Sequence, residues 1–366
     1  MQKKLLFTVT TDLNHDQRMI RICTSLAAAG YDVTLVGRIL PSSQVLKNQP
    51  FTQKRLSCFF HKGKFFYLEY NLRLLFFLLF KKFDVITAID LDTILPCFLI
   101  GKLKHKPIVY DAHEYFTEVP EVFNRPTTKK IWEAVADFCI PRIKYCYTVG
   151  DGLAGIFSER YGVSFEVIRN ISVEKKAAEV KEALPNRKII LYQGALNEGR
   201  CIEHYIEAMK YIENAELHLA GDGDLKDFLK KIVEKNQLEN KVKFLGKLAP
   251  DALNKTTEGA YIGLNLLENK GLSYYYSLAN KTFDYIQASV PALHPDFPEY
   301  QAIVKNYEIG VLVSSNTIQD IAKNINLLLH DTEFYNHLKM ECDRAKEKYI
   351  WKNEEKKLII FYQKIS

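Results

Sequence analysis

One arrangement of residues occurs twice in this chain, and it constrains the fold more than any other feature. Residues 3–9 (Lys-Lys-Leu-Leu-Phe-Thr-Val) read as a buried strand, followed by a polar loop. A helical stretch over 17–29 carries Met19, Ile20, Ile22, Leu26 and Ala27 on its apolar side, Gly30 closes it, and 32–37 read as a second strand. The same plan restarts at residue 187: a strand over 187–194, a loop with Glu198-Gly199-Arg200, a helix over 202–212 and a strand over 215–221. Strand, loop, helix and strand at this spacing make a βαβ unit, which requires parallel strands with helices on the sheet faces. Each copy opens its own half, so the expected architecture is α/β, with two Rossmann-like, doubly wound parallel-sheet domains. Apolar runs at 84–88, 107–111 and 145–149 extend the first sheet, and those at 241–246 and 261–266 extend the second. The charged, alanine-rich stretch ending near Pro185 reads as a linker. The expected divisions are a domain over 1–171, a linker over 172–186, a domain over 187–345, and a closing helical segment over 346–366.

With 366 residues the chain exceeds what one core usually serves. Its net charge of +6 forms no dense basic stripe, and no zinc-finger or RNA-binding signature is present, which argues against a nucleic-acid partner. The charge is uneven. Residues 1–170 hold seven more cations than carboxylates while the remainder is near neutral, pointing the first half toward an anionic partner such as a membrane surface or a phosphorylated acceptor. Scattered solvated lysines would give the same count. Residues 54–82 interleave bases with aromatics: Lys54, Arg55, Lys62, Lys64, Phe65, Phe66, Arg73, Phe76, Phe77, Lys81 and Lys82. That pattern fits either a surface that docks on anionic lipid or a buried helix with lysine flanks. The longest apolar run, 74–80, is too short to span a bilayer, and residues 1–13 read as a strand rather than a signal peptide. Seven scattered cysteines without a CxxC pair indicate neither a zinc site nor a disulfide framework, and a cytoplasmic location fits them.

No G-x-G-x-x-G follows the first strand, so a dehydrogenase has no fingerprint here. The loop from Gly194 to Cys201 follows a strand and precedes a helix, as a P-loop would. Arg200 and Cys201 stand where a P-loop has Lys and Ser or Thr, so the hydroxyl that would hold magnesium is missing. What remains is a glycine-flanked loop with one strong cation at a helix start, suited to a diphosphate held without metal. Farther on, Ser277 and Asn280 are expected N-caps of a helix whose first turn carries Lys281 and whose second carries Asp284. A cation in the first turn opposes the helix dipole, which hints at an anion in that place. In the first half, Asp111-Ala112-His113-Glu114 ends a strand at the edge where parallel sheets bind ligands. His113 would contact a sugar hydroxyl, and Glu114 an acceptor or the histidine itself. Asn14 and His15, in the loop after the first strand, face the same crevice. Asp90 and Asp92 follow another strand, where helix capping would account for at least one of them.

These motifs together resemble glycosyltransferase family 4, retaining enzymes of the GT-B fold. The likeness rests on residues 21–36, on Asp111-Ala112-His113-Glu114, on Thr148-Val149-Gly150-Asp151-Gly152-Leu153, on the 194–200 loop, on Leu219-Ala220-Gly221-Asp222-Gly223 and on Asn280-Lys281-Thr282-Phe283-Asp284-Tyr285. It implies two domains facing a central cleft, with the last helix (351–362) crossing back to the first domain. It implies transfer of a sugar, with UDP slightly favoured as carrier, from a nucleotide-diphosphate sugar to a glycan or lipid-linked acceptor in cell-surface polysaccharide synthesis. No metal cofactor is required by this reading, and contact with the inner face of the plasma membrane is an added expectation. By resemblance Arg200 holds the diphosphate, Asp284 the ribose and His113 the donor sugar. Gly194, Gly221, Gly223, Gly246, Lys247 and Leu248 surround the nucleotide, together with Ser277, Asn280 and Lys281. The chain departs from the family pattern at Tyr276, where a glutamate is usual and for which Glu268 is the candidate substitute. It departs again at Ala195, where an arginine is usual and Lys281 is the candidate second cation. A sugar-nucleotide epimerase and a catalytically silent nucleotide-sugar-binding partner are the alternatives.

Overall fold

The computed structural model describes residues 2–14, 16–171 and 187–365, apart from the side chains of residues 120 and 121. The expected linker, 172–186, and the candidate His15 lie outside the described residues. Contacts divide the chain into two units, Met1–Asn170 with Glu354–Ser366, and Ile171–Asn353.

The first unit holds seven strands: β1 (Lys4–Thr8), β2 (Asp32–Arg38), β3 (Thr52–Leu56), β4 (Val85–Ile89), β5 (Ile108–Ala112), β6 (Tyr145–Thr148) and β7 (Phe165–Val167). They form one parallel sheet in the order β3-β2-β1-β4-β5-β6-β7. In the register, Leu5 of β1 lies between Val33 and Val85. Every residue of β4 and β5 is buried, because helices cover both faces and the strands need no polar side. The first crossover helix, Gln17–Ala28, is capped by Asp16, whose carboxylate accepts from the Met19 amide. Gly30 leaves it at φ +94°, a conformation that favours glycine.

The second unit repeats the design with β8 (Lys188–Gln193), β9 (Ala215–Ala220), β10 (Val242–Gly246), β11 (Ile262–Leu264), β12 (Ala292–Pro295) and β13 (Gly310–Val313). Its strands are again parallel, in the order β10-β9-β8-β11-β12-β13. Both sheets therefore reverse direction of growth beside their first strand, between β1 and β4 and between β8 and β11. Those reversals are the topological switch points where ligands of open α/β sheets bind.

The final helix, Trp351–Gln363, runs on into the first unit's packing. Phe361 and Tyr362 are buried. The Phe361 ring stands edge-on to Tyr147 of β6 at 5.0 Å, and the Tyr362 hydroxyl is hydrogen-bonded to Thr87 of β4 at 2.9 Å. Buried Glu354 accepts the Arg169 amide at 2.8 Å. A sheet face left bare would expose β4 and β6 to water, and this helix is what covers it. Replacing Phe361 by Ala should therefore destabilise the protein by about 3–5 kcal/mol, the range for a buried aromatic. The urea midpoint of unfolding, followed by circular dichroism, checks this.

Candidate functional site

In the second unit the loops after β8 and β9 are stitched together at the switch point. Leu196 donates its amide to Asp222 O at 3.0 Å, and Leu225 donates back to Leu196 O at 2.9 Å. The approach is so close that a Cβ on Gly221 would fall 1.8 Å from Gly194 O. A Cβ on Gly223 would fall 2.4 Å from Asn197 Oδ1. Backbone packing alone thus accounts for these two glycines. Gly194 is different. It sits at φ +137°, and the space a Cβ would enter is bounded by Lys281 Nζ at 3.3 Å.

Lys281 opens the helix Asn280–Gln287 and is only 7% exposed. Its ammonium lies over the Tyr192 ring at 3.9 Å, and among the described residues it has no hydrogen-bond partner. Burial pushes its pKa well below the ordinary lysine range, and the Arg200 guanidinium adds to that push while Asp284 opposes it. Arg200 is half-buried, and its Nε likewise lacks a hydrogen-bond partner among the described residues. Two cations are thus held near each other with donors unused, and the Lys281 ammonium packs against a glycine that a side chain would crowd. Such a place invites an anion, since an unpaired buried charge is costly and a bound anion removes the cost.

Asp284 faces the same strand end, where Gln193 Nε2 donates to it at 2.9 Å and Thr257 in turn donates to Gln193 Oε1 at 2.7 Å. That relay orients the carboxylate. Glu268 is drawn to the loop through its amide, which donates to Gly199 O at 3.0 Å, but its carboxylate is paired with Lys270 at 2.9 Å. Gly246 ends β10 opposite Ala220, Lys247 is exposed, and Leu248 packs with the apolar group of Leu191, Ala220 and Tyr285.

The expected caps are corrected. Neither Ser277 nor Asn280 caps the helix; the cap position is Ala279, with no side-chain hydrogen bond. The Ser277 hydroxyl donates instead to Tyr274 O at 2.8 Å, because the short helix Leu272–Tyr275 ends just before it, and Asn280 is exposed. The Thr282 amide donates to Ala279 O at 3.0 Å and the Ala279 amide to the Tyr300 hydroxyl at 3.0 Å, but no cap side chain closes the helix start.

In the first unit the switch point gathers a charged cluster that the motifs revealed only in part. Arg18, buried on the first helix, donates from Nη2 to Asp111 Oδ1 at 3.0 Å. His113 Nε2 lies 2.8 Å from Arg18 Nε and 2.9 Å from Asp111 Oδ2. The His113 amide donates to Asp90 Oδ1 at 2.8 Å, and Asp90 holds the strained φ of +54°. Asp92 accepts from the Thr10 hydroxyl. Asp90 stands at the cap position of the 3₁₀ turn Leu91–Thr93 but makes no side-chain cap bond to it, and Asp92 is turned toward Thr10. Burial pushes Asp90 up to about 7 despite His113, with Glu114 and Asp111 adding to the rise. Burial, then the charge of Asp90, lifts Asp92 to about 7 as well. Burial opposes ionisation of Asp111 too, but the Arg18 guanidinium and His113 hold that carboxylate below its usual range. For His113 burial, and after it the Arg18 guanidinium, work against the charged form, and Asp111 and Asp90 together outweigh them to raise the imidazole pKa.

Glu114 is exposed, and the partners of His113 are the two aspartates and Arg18. Asn14 is buried and spends its amide on the following segment, donating to Val45 O at 2.9 Å and accepting from the Lys47 amide at 3.0 Å. Arg18 was missed in the sequence, although its spacing to Ile22 and Leu26 put a guanidinium on an apolar helix face, which is the usual sign of a buried ion pair. All seven cysteines are free.

Two parallel α/β units, one with a cationic cluster and the other with an acid–histidine cluster at its switch point, define a GT-B-type fold. Residues 17–171 match the family described as Glycosyltransferase Family 4, and residues 174–345 match Glycosyl transferases group 1. Both matches are to glycosyltransferase families, one falling in each half of the chain. A curated relative, an uncharacterised glycosyltransferase of Methanocaldococcus jannaschii, is 27% identical over 182 residues, which cover 49% of this chain and 45% of the relative. The matched part is therefore less than half of that relative's length. Among solved structures, sucrose-phosphate synthase of Thermosynechococcus elongatus is similar at TM-score 0.78 and 16% identity, over 99% of this chain and 98% of that one. HepE of Anabaena, solved with UDP and glucose, is similar at TM-score 0.80 and 14% identity, over 99% and 100%. At these identities the likeness is one of fold.

The raised aspartates carry a stability consequence. A carboxyl whose folded pKa lies above its unfolded one stabilises the protein below about pH 4, and that contribution fades as pH rises through about 7. Asp92→Asn should flatten the fall in melting temperature between about pH 4 and pH 7. Thermal melts of both proteins across that range test this; parallel curves would remove Asp92 from the account.

Proposed function

We propose that the chain transfers a sugar from a nucleotide-diphosphate sugar, UDP-linked by preference, to a glycan or lipid-linked acceptor in cell-surface polysaccharide synthesis. It would work in the cytoplasm, at the inner face of the plasma membrane, with retention at the anomeric carbon. The observation that carries this reading is the pair of cations, Lys281 and Arg200, with unused donors beside Gly194. Breaking the sugar–phosphate bond leaves negative charge on the diphosphate. Two fixed cations and a helix amino end stabilise that charge as it develops, the part a magnesium ion plays elsewhere. The departing phosphate oxygen takes the acceptor's proton, so the step closes without a protein base and without metal. Asp284, already oriented by Gln193, suits the ribose hydroxyls. His113, steadied by Asp111, suits a sugar hydroxyl. The UDP bound by the similarly folded HepE supports the choice of carrier.

A second reading draws on Tyr276 and on the Glu268 carboxylate, which is neutralised by Lys270. Without a free carboxylate there, the chain would bind a nucleotide sugar and assist another transferase without turnover. Calorimetry with UDP and a turnover assay with UDP-sugars separate the two.

Arg200→Ala should lower turnover by about a hundredfold or more, the scale of one lost charge-stabilising donor at roughly 3–4 kcal/mol. It should also weaken UDP binding by calorimetry. Lys281→Met should do the same and shift the pH profile of donor affinity, because the depressed ammonium gains its proton more readily with an anion beside it. Unchanged affinity and rate in both variants would remove these cations from the site.

A further inference from the structure

The helix Gly63–Leu79 in the first unit carries two apolar stripes on opposite sides. One is buried: Phe66, Tyr70, Leu74 and Leu78. The other is open to solvent: Phe65, Leu68, Leu72, Phe76 and Leu79 are 40–63% exposed, and Phe80 just beyond them is 81% exposed. At 100° per residue the outward five fall within a sector of about 80°, and the stripe runs about 21 Å along the axis. The helix Ile94–Leu103, which packs beside it, adds exposed Leu99 and Leu103, one turn apart. A helix of a free surface would place polar residues on that side, and an apolar area of this extent marks an interaction site.

Charge indicates the occupant. Residues 62–82 hold five cations, Lys62, Lys64, Arg73, Lys81 and Lys82, against one carboxylate, Glu69, which is itself paired with Arg73 at 2.8 Å. The four lysines are exposed and flank the two ends of the apolar stripe. Lys64 lies over the ring of exposed Phe65 at 5.3 Å, which places its charge beside the outward stripe. Apolar side chains along one line, with basic heads at its margins, match a helix lying in the plane of a bilayer surface. No helix among the described residues is long and apolar enough to cross one.

We infer that this face seats the first unit on an anionic lipid surface, with Phe65, Leu68, Leu72, Phe76 and Phe80 entering the acyl boundary and the four lysines meeting the phosphates. The inference stands on the first unit alone and does not require the donor site to be as proposed above. The test is co-sedimentation of the full chain with vesicles of phosphatidylcholine alone or mixed with phosphatidylglycerol, at low and high salt, beside sedimentation velocity without lipid. The chain should bind the mixed vesicles, release as salt rises, and bind the neutral ones weakly. Lys81→Gln with Lys82→Gln should lower the partition coefficient about fivefold per lysine, the equivalent of ~1 kcal/mol each. Leu68→Gln, Leu72→Gln and Phe76→Gln combined should abolish binding. These positions are exposed, so the melting temperature and the UDP-induced thermal shift should stay as in the parent. Equal binding to neutral and anionic vesicles, or retained binding by the triple variant, would overturn the inference. So would a lipid-indifferent dimer that the triple variant converts to monomer, which would assign the face to a second copy of the chain.

Discussion

A parallel sheet cannot turn back on itself with a two-residue hairpin, and the structure of both units follows from that limitation. Each strand must reach its parallel neighbour by a crossover, the crossovers other than that from β2 to β3 carry helices, and the helices bury both sheet faces. Strands such as β4 and β5 consequently carry no polar face at all. Chemistry is left with one location, the loops at the carboxyl ends of the strands. The reversal of strand order beside β1 and β8 separates neighbouring loops there and leaves a crevice. In each unit the unusual polar groups lie at that crevice: Asp90, Asp111 and His113 in one, Arg200, Lys281 and Asp284 in the other.

The two crevices gather opposite kinds of ionisable group, carboxyls in one and cations in the other, and each is held in a state that folding alone would not favour. In the second unit a buried ammonium stands near a guanidinium with only the Tyr192 ring beneath it. The cost of desolvating it is partly offset by that ring and by Asp284, and the rest is the affinity the site can offer an anion. In the first unit three aspartates share a small volume. Arg18 neutralises only Asp111, so Asp90 and Asp92 keep protons to near neutrality. The positive φ of Asp90 fits the same pattern of strain concentrated where function is expected.

The fold was largely legible in the sequence because βαβ periodicity is local. Nine of the strands were visible as apolar runs, and the helix after each first strand showed its spacing. β3, β7, β12 and β13 were not visible. β3 is the polar edge strand Thr-Gln-Lys-Arg-Leu, and the other three are only three or four residues long. The candidate site was legible in part. Glycine spacing and one arginine exposed the second-unit loop, but the same signal could not say that Gly221 and Gly223 serve backbone packing while Gly194 borders Lys281. Caps at Ser277 and Asn280 were misplaced because a capping side chain is recognised by type, whereas its actual partner depends on where the preceding turn ends.

What the sequence determined by itself was periodicity, and with it two parallel α/β halves, the loops that carry polar residues, and a basic, aromatic stretch near residue 70. Which residues meet was decided by tertiary structure alone. Arg18 reaches Asp111 and His113 across 93 and 95 positions of chain, and Lys281 comes to rest beside Gly194. The pattern of the Gly63–Leu79 helix likewise records two apolar stripes without saying which one the core takes. The physical reason is the same throughout. Backbone geometry is set by neighbours in sequence, whereas desolvation and charge pairing are set by neighbours in space, and those exist only once the sheet has closed its crossovers.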